Sequence, residues 1–318
     1  KLVWIFAAKR AVQTIFLICI FSLFIFIMIE FSSGNIVSGL YGDNIQALNP
    51  ALKERILANL GLDRPLMVRY FEWFLNFIRG DFGFSFISGE KVIDIIKDRL
   101  PYTLILGTIS FFLSFVLAVI LGGLSAIFQG SLFDKIVMII TLSFFSVPSF
   151  WLSLIFIMFF SVILGIFPSS GAYDIGTQGN FIDLAHHMIL PILVLSLSHL
   201  AIYIRLVRTT VLEALKEPFV TSYRSWGVDK KDIYLKLVLR YSLLPVISYF
   251  GANSAVILSG TYVVETVFSI GGLGNTTINA LLDKDYPLAL IIILLSTIFV
   301  VFINLIVEIS AKILNPRF

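Results

Sequence analysis

Residues Leu212–Pro245 read LEALKEPFVTSYRSWGVDKKDIYLKLVLRYSLLP. The stretch is charged and amphipathic, and it lies between two apolar runs, Met188–Val207 and Ser242–Val264. Working outward, further apolar runs occupy Ala11–Ile29, Tyr102–Phe128, Lys135–Phe167 and Leu288–Leu314. A helix needs about 20 mostly apolar residues to cross the hydrocarbon core of a bilayer, so the pattern predicts an all-α polytopic membrane protein. Composition agrees: the 318 residues are 58% hydrophobic and 14% charged, where a soluble domain carries about 25% charged residues. A net charge of +3 gives no indication of a nucleic-acid partner. The one cysteine, Cys19, excludes an internal disulfide and argues against a Cys-based metal site.

The placement of positive charge decides how many spans there are. With six, both ends of the chain share a side with the segment from Arg205 to Arg240, which holds Arg205, Arg208, Lys216, Arg224, Lys230, Lys231, Lys236 and Arg240. The short loops on the opposite side, 168–187 and 265–287, hold only Lys284. That asymmetry is the positive-inside bias of cytoplasmic loops. Seven spans would put the N-terminal Lys1, Lys9 and Arg10 opposite the basic loop. About six spans are therefore expected, N-in and C-in, with the long run Lys135–Phe167 as one span kinked at Pro148. The first apolar run is longer than a signal-peptide core and no Ala-x-Ala cleavage site follows it, so it reads as a retained span.

The organisation expected from this count is a tail and first helix (1–31), an external segment (32–100) and a five-helix core (101–318) that includes a cytoplasmic loop, 209–240. Phe31–Leu100 holds eight Lys/Arg and eight Asp/Glu and is long enough to translocate whatever its charge. Within it, Leu52–Leu60 reads as a short helix between Pro50 and Gly61. Met67–Ile78 mixes Tyr70, Phe71, Trp73, Phe74 and Phe77 with charges. It fits either an interfacial amphipathic helix or a packed helix of a small external cap. Val92–Leu100 reads as a helix ending before Pro101.

In the opening stretch, Phe219, Val220, Tyr223 and Trp226 share a face by three- and four-residue spacing. Gly227 supplies the permissive backbone of a helix C-terminus, and Asp229 is placed to cap a second helix. A helix–Gly–helix with aromatic residues at a membrane surface is either a docking knob or a connector lying on anionic lipid. No Walker A segment is present, because no Gly-Lys pair occurs in the chain, so any ATP chemistry must come from another polypeptide.

Ser222-Tyr223-Arg224-Ser225-Trp226-Gly227, followed by Arg240 and by Pro245 eighteen residues after the glycine, resembles the EAA loop of ABC importer permeases of the dipeptide/oligopeptide/nickel family. Other motifs follow in order: Gly61-Leu62-Asp63-Arg64-Pro65-Leu66 with Tyr70, Gly80-Asp81-Phe82-Gly83 with Ser85, Arg99-Leu100-Pro101 with Thr103-Leu104, Pro168-Ser169-Ser170-Gly171, Leu190-Pro191, Glu265-Thr266-Val267-Phe268-Ser269 with Gly272-Leu273-Gly274, Asp285-Tyr286-Pro287 and Asn315-Pro316-Arg317. Several motifs in order are specific where one alone is weak. Tyr223, Ser225 and Trp226 depart from the family's Ala, Ala and Lys, and Ile270-Gly271 stands in place of Trp-Pro, which predicts a looser external loop.

The resemblance implies a type I ABC importer permease fold in a bacterial inner membrane, with an external segment after the first helix. It implies pairing with a second homologous permease, two ABC ATPases that bind ATP and Mg, and an extracytoplasmic solute-binding protein. It implies no cofactor on this chain and no catalytic residue. Phe219, Val220, Ser222, Tyr223, Arg224, Trp226, Gly227 and Arg240 would form the ATPase-coupling element, and Glu265, Gly272 and Gly274 an external loop. The expected cargo is a short peptide, with nickel or a nickel chelate as the alternative within the family. An ion-coupled secondary transporter would need carboxylates near mid-membrane and inverted repeats, neither of which the sequence displays. A plain membrane anchor or receptor leaves the docking loop unexplained.

Polar and small residues inside spans pack against other helices or line a pathway. Asn253, Ser254, Ser259 and Ser146 are the pathway candidates, with Asn253 first; Ser110, Ser114 and Gly122 are further polar or small positions. His186 and His187, with Asp183 nearby, sit at the outer end of the fourth span. Adjacent residues point to different sides of a helix, so an interfacial or packing role is favoured over a shared ion, and no metal site is expected.

Overall fold

The structure, a computed structural model, describes residues 2–31, 55 and 63–314. The expected helix at Leu52–Leu60 and the motif residues Gly61, Leu62 and 315–317 lie outside them, Arg55 apart. Regular structure among the described residues is helical, apart from one isolated antiparallel bridge, Phe84 with Lys91. In chain order the helices are α1 Leu2–Glu30, α2 Leu66–Ile78, α3 Val92–Ile127, α4 Leu132–Ser146, α5 Ser149–Phe156, α6 Phe181–Ala214, α7 Pro218–Ser225, α8 Lys230–Asp232, α9 Leu239–Ala252, α10 Ser254–Val267, α11 Leu273–Leu282 and α12 Tyr286–Leu314. Wider π-helical turns extend α5 over Ile157–Ile163 and join α8 to α9 over Ile233–Val238.

Among the described residues, five helical segments are long and apolar enough to cross a membrane: Lys9–Ile29, Val92–Ile127, Phe181–Ala214, Lys230–Ala252 and Tyr286–Ile306. A sixth crossing would come from α4 and the α5 segment together, which bend by 104°. The break falls at Val147–Pro148, where Val147 and Pro148 take extended backbone (ψ 125° and 141°). Pro148 therefore turns the chain sharply instead of kinking one helix. Two further expectations are corrected. The helix at Val92 continues through Pro101, although a proline there removes the bond to the carbonyl four residues back and crowds that carbonyl, here that of the exposed Lys97. The fifth span is divided at Asn253, whose φ −96° and ψ 5° separate α9 from α10 just after Gly251.

The chain divides into two compact units. One comprises Ala8–Tyr102 and Gly271–Phe302. Its core packs Phe26 and Ile29 of α1, Tyr70 of α2, Val92 and Ile96 of α3, and Leu290–Ile292 of α12. The Tyr70 hydroxyl pairs with Ser22 Oγ at 2.7 Å, and the rings of Phe26, Tyr70 and Trp73 lie about each other with centroids 5.6–6.2 Å apart. Of the two readings of Met67–Ile78, this supports a packed helix on its Tyr70 face, although Met67, Phe71 and Ile78 remain exposed on the other. In the same unit the buried Asp285 carboxylate accepts from the Ser85 hydroxyl and the Phe86 N–H, so two separate motifs of the sequence meet.

The other unit comprises Lys1–Ala7, Thr103–Ile270 and Ile303–Phe318. Within it α3 and α6 are joined by serine hydroxyls. Ser196 Oγ donates to the Ser110 carbonyl at 3.2 Å, Ser114 Oγ to the Ser196 carbonyl at 3.2 Å, and Ser110 Oγ to the Ile192 carbonyl at 3.4 Å. Small residues let such backbones approach. Gly122 completes the row: a Cβ there would sit 2.7 Å from the Ile204 carbonyl oxygen. Ser110, Ser114 and Gly122 are thus packing residues. Arg208 of α6 makes a two-pronged contact with the buried Asp134 of α4, Nε to Oδ1 at 2.9 Å and Nη2 to Oδ2 at 2.8 Å. Planar guanidinium and carboxylate match in this geometry.

Candidate functional site

The site is built where α6 ends. Its last carbonyls close in tight turns, Lys216 N–H to Glu213 O and Glu217 N–H to Ala214 O. Glu217 is extended (ψ 144°), as the residue before a proline prefers. Pro218 then occupies the first position of α7, where its missing N–H costs nothing. Helix α7 runs for eight residues and is stopped by Gly227. Val228 N–H bonds the Tyr223 carbonyl at 3.2 Å and Gly227 N–H bonds the Arg224 carbonyl at 3.1 Å. This crossed pair is the Schellman cap, which requires a left-handed residue at the glycine position, and Gly227 has φ +77°. The glycine stop read from the sequence is present. The Asp229 cap is not: that residue starts α8 without a side-chain bond to it.

Burial sorts the predicted coupling residues into two groups. Val220 is 1% exposed and faces inward. Phe219 is half-buried against Tyr241, ring centroids 5.5 Å apart. Tyr223 is half-buried and meets Trp226 edge to face at 5.2 Å. Trp226 is 73% exposed, and Ser222, Arg224, Gly227 and Arg240 are exposed with it. The face inferred from spacing is therefore a gradient, from an anchor at Val220 to an outward edge at Trp226. Lys236 and Asp232 form an exposed ion pair at 3.1 Å, of the kind worth little in water.

The anchors continue past the loop. Ile233 and Val238 are buried, and the Tyr234 hydroxyl lies against Gly123 of α3, where a Cβ would collide with it. Sequence reasoning missed Tyr234, Tyr241 and Gly123. The adjacent glycines at 122 and 123 inside a span were the signal available.

The remaining candidates are scattered. Ser146 is exposed at the end of α4 and donates to the Leu142 carbonyl of its own helix. Asn253 donates from Nδ2 to the Tyr249 carbonyl at 2.9 Å and marks the break between α9 and α10. The side chains of Ser254 and Ser259 lie outside the described residues. Glu265 was expected in an external loop; it lies instead in the last turns of α10 and is fully buried, accepting from Thr103 Oγ1 at 2.7 Å. A buried carboxylate needs such a donor. Gly272 precedes α11 and Gly274 lies within it. The looser loop expected at Ile270 is not found, since Ile270 is fully buried and its N–H bonds the Glu265 carbonyl at 2.8 Å. His186 turns outward to the Ile166 carbonyl, whereas His187 is buried beside Asp174 and Asp183.

Residues 116–318 match the family described as binding-protein-dependent transport system inner membrane component, and residues 3–107 match the N-terminal domain of such components. The chain belongs to this family. It is 34% identical to the oligopeptide transport system permease protein AppB of Bacillus subtilis over 271 residues, covering 85% of this chain and 86% of that one. It is 33% identical to the di/tripeptide transport system permease protein DppB of Pseudomonas aeruginosa over 314 residues, 93% of each. The dipeptide permease DppB of Escherichia coli K12 is 31% identical, over 86% of each chain. In fold, 70% of this chain superposes on 97% of a chain of the MetNI methionine ABC transporter, with a TM-score of 0.57 and 19% identity. The protein is a multi-pass membrane permease of the ABC importer type.

Proposed function

We propose that this permease carries short peptides inward as one of two related membrane subunits, and that α7 with the turn at Gly227 receives the stroke of a separate ATPase. Support for the cargo comes from the relatives, which are named for oligopeptide, di/tripeptide and dipeptide transport. A solute-binding protein outside the membrane would deliver the peptide, and ATP and Mg would bind the partner ATPases. On this reading both ends of the chain and the 209–240 loop lie in the cytoplasm, residues 32–100 form the external segment, and 101–318 the permease core.

The observation that carries the coupling role is the outward edge at Arg224, Trp226 and Gly227 on a helix anchored from behind. An exposed Trp beside an exposed Arg is the composition of an interface centre. Val220, the Phe219–Tyr241 contact and Tyr234 against Gly123 tie that edge to the bundle, so a push on it reaches the membrane helices.

The test uses proteoliposomes holding the permease pair, the ATPases and the binding protein with a labelled dipeptide. Trp226→Asp and Arg224→Glu should abolish uptake and peptide-stimulated ATP hydrolysis while both variants still insert and fold. Unchanged uptake in both would refute the coupling assignment. Uptake of nickel but not of peptide by the unaltered complex would refute the cargo.

A further inference from the structure

At the opposite end of α6 from the coupling turn, Asp174, Asp183 and His187 converge. One ligand atom from each lies within 4.8 Å of those of the other two. The His187 side chain is 2% exposed, and its Nδ1 lies 3.0 Å from the Asp183 carbonyl oxygen. That bond places the proton on Nδ1 and leaves the Nε2 lone pair free to act as a ligand. Nε2 faces Asp174 Oδ1 at 3.7 Å, too far for a hydrogen bond, and no hydrogen-bond partner of Nε2 exists among the described residues. Two lone-pair-bearing atoms thus face each other across a gap. For a zinc-like ion with bonds of about 2.0–2.1 Å in tetrahedral geometry, ligand atoms stand about 3.3 Å apart, so an ion between them needs only a small adjustment.

Hydrogen bonds hold the Asp183 carboxylate in place. Asp183 Oδ2 accepts from the Asp174 N–H at 2.8 Å and from the Thr177 hydroxyl, while Oδ1, 3.4 Å from Nδ1, accepts no hydrogen bond among the described residues. Bonds of that kind fix the ligating groups of metal sites. An imidazole with two carboxylates suits borderline transition metals, whereas calcium and magnesium prefer oxygen alone. His186 takes no part, because its ring turns to the Ile166 carbonyl.

We propose that Asp174, Asp183 and His187 hold a divalent transition-metal ion of the zinc class. The ion pins the loop that starts at Asp174 to the first turns of α6, and a further coordination position stays open on the side of the exposed Asp174. The competing occupant is a proton on Nε2, which would give an ion pair and no metal.

The full chain, purified in nanodiscs with any metal removed by chelator, is titrated with Zn2+ by calorimetry and with Co2+ by visible absorption. The unaltered protein should bind one Zn2+ per chain and show the d–d bands of cobalt held by nitrogen and oxygen. Asp174→Ala alters an exposed loop residue and should leave folding intact, yet weaken Zn2+ binding at least tenfold; His187→Gln should do the same. Thr177→Val, which removes a positioning bond, should weaken it about 10–100-fold, and His186→Ala should bind as the unaltered chain does. Absence of stoichiometric Zn2+ binding, or binding that survives both Asp174→Ala and His187→Gln, would overturn the assignment. Loss of binding in His186→Ala alone would move the site elsewhere and overturn it equally.

Discussion

Gly227 offers a graded test of the proposed coupling role of its turn. Its φ of +77° is left-handed, and a Cβ added there would meet nothing within 4 Å. The cost of a side chain at this position is therefore backbone strain alone, with no steric collision to add to it. For an ordinary L residue that strain is about 1–2 kcal/mol, so Gly227→Ala should shift the local equilibrium of the α7 cap by about 5–30-fold. Asn tolerates the left-handed region and should fall between Gly and Ala. Proline is a different perturbation. It cannot reach φ +77° and lacks the N–H that bonds the Arg224 carbonyl. A loss of about 3 kcal/mol or more corresponds to a shift beyond about 100-fold. Because Gly227 is exposed, none of these changes should lower the melting temperature of the whole chain by much. The assay is peptide-stimulated ATP hydrolysis in reconstituted complexes, read beside thermal unfolding. Coupling should fall in the order Gly, Asn, Ala, Pro while unfolding stays nearly constant. Full coupling with Pro, or Ala tolerated better than Asn, would refute the account, since either result means the left-handed turn is not what positions Trp226.

Three further outcomes follow from packing. Gly122→Val should cost about 1–3 kcal/mol by overpacking against the Ile204 carbonyl and Val207, read as a lower unfolding temperature in detergent. Asp134→Ala strands the guanidinium of Arg208 on α6; since Arg208 is 24% exposed, the loss should lie at or below the low end of the about 3–5 kcal/mol of a buried pair, and Asp134→Ala with Arg208→Met should recover part of it in the same measurement. Ser196→Ala removes one hydroxyl bond between α3 and α6 and should cost only about 0.6 kcal/mol, the average for such bonds in membrane bundles; a much larger loss of thermal stability would mean the serine row acts cooperatively.

Element type and approximate span position were legible in the sequence because both rest on local composition: 20-residue apolar runs announce themselves. What proline does was not. Pro101 sits in an unbroken helix and Pro148 ends one at a 104° bend, though each reads alike as a breaker. The outcome depends on whether the neighbouring residues keep helical backbone, and Val147 does not. The turn at Gly227 was legible for a related reason: Gly227 and Pro218 act on their own backbone, and the Schellman bonds are local. The partners that hold the turn were not legible. Tyr241 against Phe219 and Tyr234 against Gly123 join residues with no common periodicity, and only the fold brings them together. The His187 cluster shows the same limit. Asp183 is four residues away on one helix and was noticed, while Asp174 reaches it by the return of an irregular loop.

These tertiary contacts bear on how a stroke at the loop would travel. Helix α6 runs without interruption from Phe181 to Ala214, about 51 Å at 1.5 Å per residue, with Pro191 accommodated inside it. The turn before α7 begins where α6 stops, and the Asp183–His187 cluster lies in its first two turns. The serine row ties the middle of α6 to α3, and the Asp134–Arg208 pair ties its later part to α4. A helix held to its neighbours at two heights is expected to move with them as a body. Displacement of Trp226 would accordingly reach the far end of α6 by rigid motion of packed elements, which is the physical form that coupling between distant sites requires. An ion at Asp174, Asp183 and His187 would then stiffen the attachment of the far loop to that same lever. Removing the ion should loosen the loop and leave the cap at Gly227 unchanged.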